Sequence, residues 1–138
     1  MLFLPNQKLP DNFLLFVGDR SGYKNFYLLL NTFEKFSKSN TDIHLVLTGG
    51  GSLAGADVEI INRLKLQNKV HHYNVSDEQL NFLYSKAILF IYPSLHEGFG
   101  LPILEAFKAC LNKSYRFKLN IIGKLSNELK LIIDKDNS

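Results

Sequence analysis

Four short apolar runs divide the chain, with helical stripes between them. Phe13 to Val17 is continuously apolar and is ended by Gly18. Ile43 to Leu47 is broken only by His44 and is ended by Thr48 and three glycines. Val70 to Val75 is diluted by His71 and His72, and Ile88 to Tyr92 is ended by Pro93. Short runs that do not alternate apolar with polar suit strands covered on both faces. Phe26, Leu29, Leu30 and Phe33 stand at i, i+3, i+4 and i+7, one stripe of a helix, and the polar stretch Ser37 to Thr41 marks its end. Ala54 to Leu66 predicts a second helix with Ile60, Ile61 and Leu64 inward. Leu80, Leu83, Tyr84 and Ala87 mark a third, and Ser76 with Gln79 forms a capping box at its start. The order is β-α-β-α-β-α-β, followed by a loop and a further element. Such alternation predicts a parallel sheet with right-handed crossovers, a Rossmann-like α/β domain flanked by helices. Ligands of such sheets bind beyond the carboxyl ends of the strands, which directs attention to the loops after Val17, Leu47 and Tyr92.

The last stretch, residues 111–138, follows a different pattern. Tyr115, Phe117, Leu119 and Ile121 alternate with Arg116, Lys118 and Asn120, as in a half-exposed strand. Ser126 opens a short helix to about Ile133, and the end is polar. With 138 residues, 46% of them apolar and 12% aromatic, the chain has the core material for one domain and is too short for two. Its net charge of +3 gives no reason to expect nucleic acid as a partner. Cys110 is the single cysteine, which excludes an internal disulfide and any cysteine-based zinc cluster; it is expected to be a small buried residue. No apolar run approaches the roughly 20 residues of a membrane span, and Met1 to Lys8 lacks a secretory pattern, so the expected location is the reducing cytoplasm.

The chemistry is concentrated in three loops. The segment His96-Glu97-Gly98-Phe99-Gly100-Leu101-Pro102 follows a buried strand and runs into a helix carrying Glu105. Gly98 and Gly100 permit a sharp turn and a close approach to a ligand. Pro102 suits the first helical turn, and Leu101 has no side-chain acceptor for the free amides of Ile103 and Leu104. A helix start of that kind favours phosphate. Glu97 and Glu105 are expected to face one crevice, where carboxylates accept hydrogen bonds from sugar hydroxyls. The loop Gly18-Asp19-Arg20-Ser21-Gly22-Tyr23-Lys24-Asn25 offers two cations, Arg20 and Lys24, suited to a departing diphosphate. It has neither a dinucleotide fingerprint nor the glycine spacing of a Walker loop. Gly49-Gly50-Gly51 either lets a nucleotide approach or makes a tight strand-to-helix turn, and the turn is the favoured reading. The four histidines lack metal spacing; adjacent His71 and His72 point to opposite faces, read as structural or surface, and His96 is read as a bystander.

These residues resemble the retaining glycosyltransferases of group 1, also called family 4. Glu97 to Glu105 matches that family's Glu-x7-Glu signature, and Tyr92 to Pro102 is close to its usual wording. Phe16-Val17-Gly18 through Lys24-Asn25 resembles its donor-site loop, and Ser76-Asp77-Glu78-Gln79-Leu80 followed by Leu83-Tyr84 also fits; the match runs from about Asn12 to Cys110. The resemblance implies a GT-B enzyme with two Rossmann-like domains, of which this chain is part of the C-terminal, donor-binding one. Arg20 and Lys24 are then expected to neutralise the diphosphate. Glu97 is expected to contact the donor sugar and Glu105 the ribose hydroxyls, while Gly18 and the backbone of Gly98, Phe99, Gly100 and Leu101 complete the donor site. Retention at the anomeric carbon and no bound metal or other cofactor are implied, so the two-carboxylate scheme of glycoside hydrolases does not apply.

The family pattern stops after Cys110, and no acceptor-binding domain is present in these 138 residues. The expected organisation is therefore a truncated GT-B donor domain over residues 1–110 and a divergent tail over 111–138. The expected function is hexosyl transfer from a nucleotide-diphosphate sugar, with a separate polypeptide supplying the acceptor domain. The alternatives are a non-catalytic remnant or nucleotide-sugar-binding interaction module, and a sugar-nucleotide epimerase fragment of the same architecture.

Overall fold

A computed structural model describes residues 2–4, 7–20 and 25–93, with the backbone alone for residues 2–4 and 7. The strand and helix expected within 111–138 lie outside the described residues.

The chain begins with an antiparallel hairpin, β1 (Leu2–Leu4) and β2 (Gln7–Lys8), which the apolar pattern does not announce. It continues through β3 (Phe13–Val17), α1 (Phe26–Ser37), β4 (His44–Thr48), α2 (Gly55–Arg63), β5 (Val70–Tyr73), α3 (Asp77–Lys86) and β6 (Leu89–Phe90). All four expected apolar runs are strands of one parallel sheet, ordered β5-β4-β3-β6. β6 itself is short, yet Ile88 N–H donates to Phe13 O and Ile91 N–H to Leu15 O, so pairing extends over most of the expected run.

Both faces of the sheet are covered, which is why its strands are apolar throughout. Leu14, Phe16, Leu45 and Leu47 pack under α1 and α2 with Phe26, Leu29, Leu30, Phe33, Ile60 and Ile61. Phe13, Leu15, Val17 and Val46 face the other way, against Leu83 and Tyr84 of α3. Successive residues of β3 therefore serve two separate cores, as strand geometry requires. Tyr73 Oη donates to Lys8 O at 3.3 Å, tying the opening hairpin to the sheet.

Two boundaries differ from expectation. α2 stops at Arg63 because Lys65 takes a left-handed backbone, φ 58°. The N–H of Leu66 then reaches back to Ile61 O, and Leu66 enters the core from the turn rather than from the helix. β5 ends at Tyr73, and Asn74 and Val75 lead directly into the cap of α3. That cap is the expected box: Ser76 Oγ accepts from Gln79 N–H, and Gln79 Oε1 accepts from Ser76 N–H.

The amino end of the sheet holds a histidine pair. His44 Nδ1 and His71 Nε2 share a hydrogen bond of 2.8 Å, among Asp42, Lys69, Lys8 and Asp11. Burial lowers the pKa of both rings, with Lys69 lowering each further and His44 adding to the effect on His71; Asp42 opposes it at His44. A ring whose folded pKa is depressed binds fewer protons folded than unfolded. Its contribution to stability is present above about pH 6.5 and is lost as pH falls through the lower folded value. Urea melts at pH 8 and pH 5.5 are expected to show a lower midpoint at the acidic pH. His71→Gln is expected to shrink that difference; an unchanged difference would contradict this role for the pair.

Candidate functional site

The strand order creates a specific crevice. From β3 the chain moves outward through β4 to β5, then returns to lay β6 on the opposite side of β3. β3 and β6 are adjacent and parallel, Leu14 opposite Leu89 and Leu15 opposite Phe90. The carboxyl ends of these two strands therefore lie side by side, each followed in sequence by a loop. This is a topological switch point, where ligands of open α/β sheets bind. The two loops are those that carry Arg20 with Lys24 and Glu97 with Glu105.

Of the expected site residues, Gly18 and Arg20 are described. Lys24, Glu97, Gly98, Phe99, Gly100, Leu101 and Glu105 lie outside the described residues. Gly18 extends the ladder one step past β3, its N–H donating to Thr48 O at 2.9 Å. Arg20 does not stand at the rim as a solvent-facing cation. Its guanidinium is turned beneath the glycine loop, where Nε donates to Asp57 Oδ2 at 3.0 Å and both side chains are under one-tenth exposed. Nη1 donates to Gly49 O at 3.1 Å, and Nη2 to Gly51 O at 3.1 Å and Ser52 O at 2.9 Å, with Gly50 O further away at 3.4 Å. The physical reason is the turn itself. Its carbonyls converge inward with no strand to bond, and a planar fork can meet several of them at once.

The turn is the form that the glycines take, with φ of 87°, 68° and 72° at Gly49, Gly50 and Gly51. It also brings two loops into contact, since a β-carbon on Gly50 would lie 2.6 Å from Asp19 Cα. Asp57 joins the same assembly to α2: Oδ2 also accepts from Ala54 N–H at 2.9 Å, closing the helix start. From the other side His72 Nε2 donates to Gly49 O at 3.2 Å, which requires the proton on that nitrogen because a carbonyl only accepts.

The helical spacing carries a signal for Asp57. Asp57, Ile60, Ile61 and Leu64 form one helical stripe, so an acid sits on the inward face and needs a buried cation. His72 gives no comparable signal, because its partner is a backbone carbonyl set by a turn.

Above this clamp a cavity of about 200 Å³ opens at the carboxyl ends of β3, β4 and β5, lined by Val17, Thr48, Gly49, Asn74, Val75 and Leu80. It combines apolar walls with the polar Thr48 and Asn74, as small-molecule sites do. Asn25 makes no side-chain capping bond, and the first turn of α1 holds no acidic residue. α2 and α3, by contrast, have Asp57 and Ser76 at their starts. Among the described helices α1 thus has the amino end least compensated by side chains of its own first turn, which suits an anion.

The family model for glycosyl transferases group 1 matches residues 4–113. The chain belongs to this family. It is 34% identical over 101 residues to the O-antigen chain mannosyltransferase RfbU of Salmonella typhimurium, covering 72% of this chain and 28% of that protein. This group 1 chain spans about a quarter of the length of the curated relatives it matches. Among solved structures it resembles the C-terminal domain of a group 1 family protein, LpcC, from Francisella tularensis, with a TM-score of 0.60 at 16% identity, covering 91% of this chain and 77% of that one. The pneumococcal O-GlcNAc transferase GtfA in complex with UDP and GlcNAc gives a TM-score of 0.66 at 21% identity, covering 86% of this chain and 22% of that one. The α/β architecture is therefore the GT-B one expected from the motifs. No helix among the described residues is long and apolar enough to cross a membrane.

Proposed function

We propose that this chain is the donor-binding part of a retaining hexosyltransferase, and that it holds a nucleoside diphosphate sugar in the crevice between β3 and β6. The observation that supports this reading is the strand order, which sets the carboxyl ends of β3 and β6 beside each other at the switch point, and the two motif-bearing segments follow these strands in sequence. The cavity over Thr48, Asn74 and Val75 takes the nucleoside part, and the amino end of α1 lies beside the diphosphate. Lys24 provides the cation at the departing diphosphate, Glu105 the acceptor for ribose hydroxyls and Glu97 the contact to the donor sugar. The backbone of Gly98 to Leu101 donates to phosphate or sugar. In the reaction the bond from the anomeric carbon to the diphosphate oxygen breaks, an acceptor oxygen bonds to that carbon, and the acceptor's proton is released. The diphosphate's growing charge is met by Lys24 and by oriented amides, so this scheme uses no metal or other cofactor.

The relatives' names favour a mannosyl donor. Transfer also needs the acceptor-binding half, joined to this chain or supplied by a second polypeptide, because it positions the acceptor and excludes water. The domain limit near residue 110, the divergent character of 111–138 and a cytoplasmic location belong to the same proposal.

Calorimetry of the 138-residue chain with GDP and UDP tests the reading. One of the two is expected to bind. Lys24→Ala and Glu105→Ala are each expected to weaken it about tenfold or more, the effect of losing a hydrogen bond to a charged group. Folded protein that takes up neither nucleotide would contradict the proposal.

A further inference from the structure

We infer that Arg20 is a positioning residue, which with Asp57 clamps the glycine turn 49–52 against the loop after β3 and so shapes the nucleotide cavity. This rests on the donor-site reading above.

The geometry argues against a guanidinium aimed at a ligand. Nε, Nη1 and Nη2 all donate within the protein, to Asp57 Oδ2 and to the carbonyls of Gly49, Gly51 and Ser52. Direct contact with a diphosphate through the same atoms would strip donors from a turn that has no strand ladder to hold it. Asp57 already neutralises the cation at 3.0 Å, in a pair whose side chains are 7% and 8% exposed. The turn in question is a wall of the cavity, since Gly49 lines it together with Val17 and Thr48. Gly49 O is held from beneath by Arg20 and from the side by His72 Nε2. Gly50 leaves no space to its neighbour Asp19, so a shift of the turn is transmitted to the loop after β3. Arg20 therefore acts on a bound nucleotide through the backbone of residues 49–52. Lysine is a poor replacement: one ammonium cannot span Asp57 and three separated carbonyls as a planar fork does.

Two readouts separate this role from direct phosphate contact. The first compares affinities for GDP with GMP, and UDP with UMP, in the wild-type chain, Arg20→Met, Arg20→Lys and Lys24→Ala. A clamp predicts that Arg20→Met weakens the diphosphate and the monophosphate by the same factor, about tenfold. It also predicts that Arg20→Lys, which can retain the pair with Asp57 and so the fold, fails to restore either. Lys24→Ala is expected to weaken the diphosphate more than the monophosphate. Wild-type affinity in Arg20→Lys, or a loss confined to the diphosphate in Arg20→Met, would overturn the inference in favour of direct contact. The second readout is backbone order at residues 49–52 from ¹⁵N relaxation, with no nucleotide present. Order parameters are expected to fall from about 0.85 to below about 0.6 in Arg20→Met, or to fall partially in Arg20→Lys should the first variant not fold. Unchanged order in a folded variant would overturn the clamp. If the wild-type chain binds none of the four nucleotides, the donor-site reading fails and the cavity-shaping role fails with it, while the relaxation result still decides whether the clamp exists.

Discussion

Asp57→Ala is expected to destabilise the fold by about 3–5 kcal/mol, the cost of leaving a buried charge without its partner. Arg20 remains under the turn with its guanidinium beside an alanine, and Ala54 N–H loses the oxygen that closes the start of α2. For a domain with about 5–15 kcal/mol of stability, this is a large share. The exposed pair Lys38 Nζ–Glu34 Oε1 is as short, at 2.9 Å, but the Lys38 side chain is 70% exposed. Glu34→Ala is expected to cost only about 0.5 kcal/mol or less, because water screens the pair and two long side chains must be ordered to make it. Urea denaturation of both variants checks the contrast, with a shifted midpoint and an unchanged slope for Asp57→Ala. Removing both charges, as Arg20→Met with Asp57→Leu, is expected to recover part of the loss. Recovery stays incomplete because the carbonyls of Gly49, Gly51 and Ser52 still lack a donor. A loss below about 1 kcal/mol for Asp57→Ala would show that the pair is not buried as described.

Gly50→Ala is the second large effect. Its β-carbon meets Asp19 Cα at 2.6 Å, a backbone atom that cannot move aside alone, and φ at 68° disfavours a side chain. The left-handed backbone accounts for about 1–2 kcal/mol and the collision adds about 1–3 kcal/mol of overpacking. Gly51→Ala separates the two contributions. It has a similar φ of 72° and nothing within 4 Å of the added carbon, so only the backbone cost is expected. Thermal melts in which the two variants are equally destabilised would contradict the close approach of the two loops. The same pair of variants reports on the cavity, since Gly50→Ala displaces the turn that forms its wall and Gly51→Ala leaves it in place.

Most of the scaffold was legible because burial writes itself into residue type. A sheet covered on both faces demands apolar runs, and Phe13 to Val17 shows one without interruption. The stripe Phe26, Leu29, Leu30 and Phe33 is buried as its spacing predicts. The hairpin at the start was not legible: strands of three and two residues are too short for any period. The end of α2 was not legible either, because a left-handed lysine rather than a glycine makes the turn. In the described part of the site, Gly18, the turn Gly49 to Gly51 and the loops after β3 and β4 could be read from the chain, since turns and strand ends have residue signatures. The partners of Arg20 could not. Four of the acceptors near it are backbone carbonyls, which every sequence contains, and their convergence depends on the path of a turn 29–32 residues away. Asp57 alone left a trace, as an acid on an inward stripe.

A nucleotide bound at the carboxyl ends of β3, β4 and β5, beside the switch point, would perturb the amides there and leave the far end of the sheet alone. Mapping amide chemical-shift changes on titration of the chain with GDP or UDP tests it most directly. Shifts are expected to concentrate at Val17, Gly18, Thr48 to Gly51, Asn74 and Val75, with Asn12, Asp42, His44 and His71 at the opposite end of the sheet unmoved. Shifts centred on the His44–His71 end, or a spectrum unaltered by either nucleotide, would contradict it.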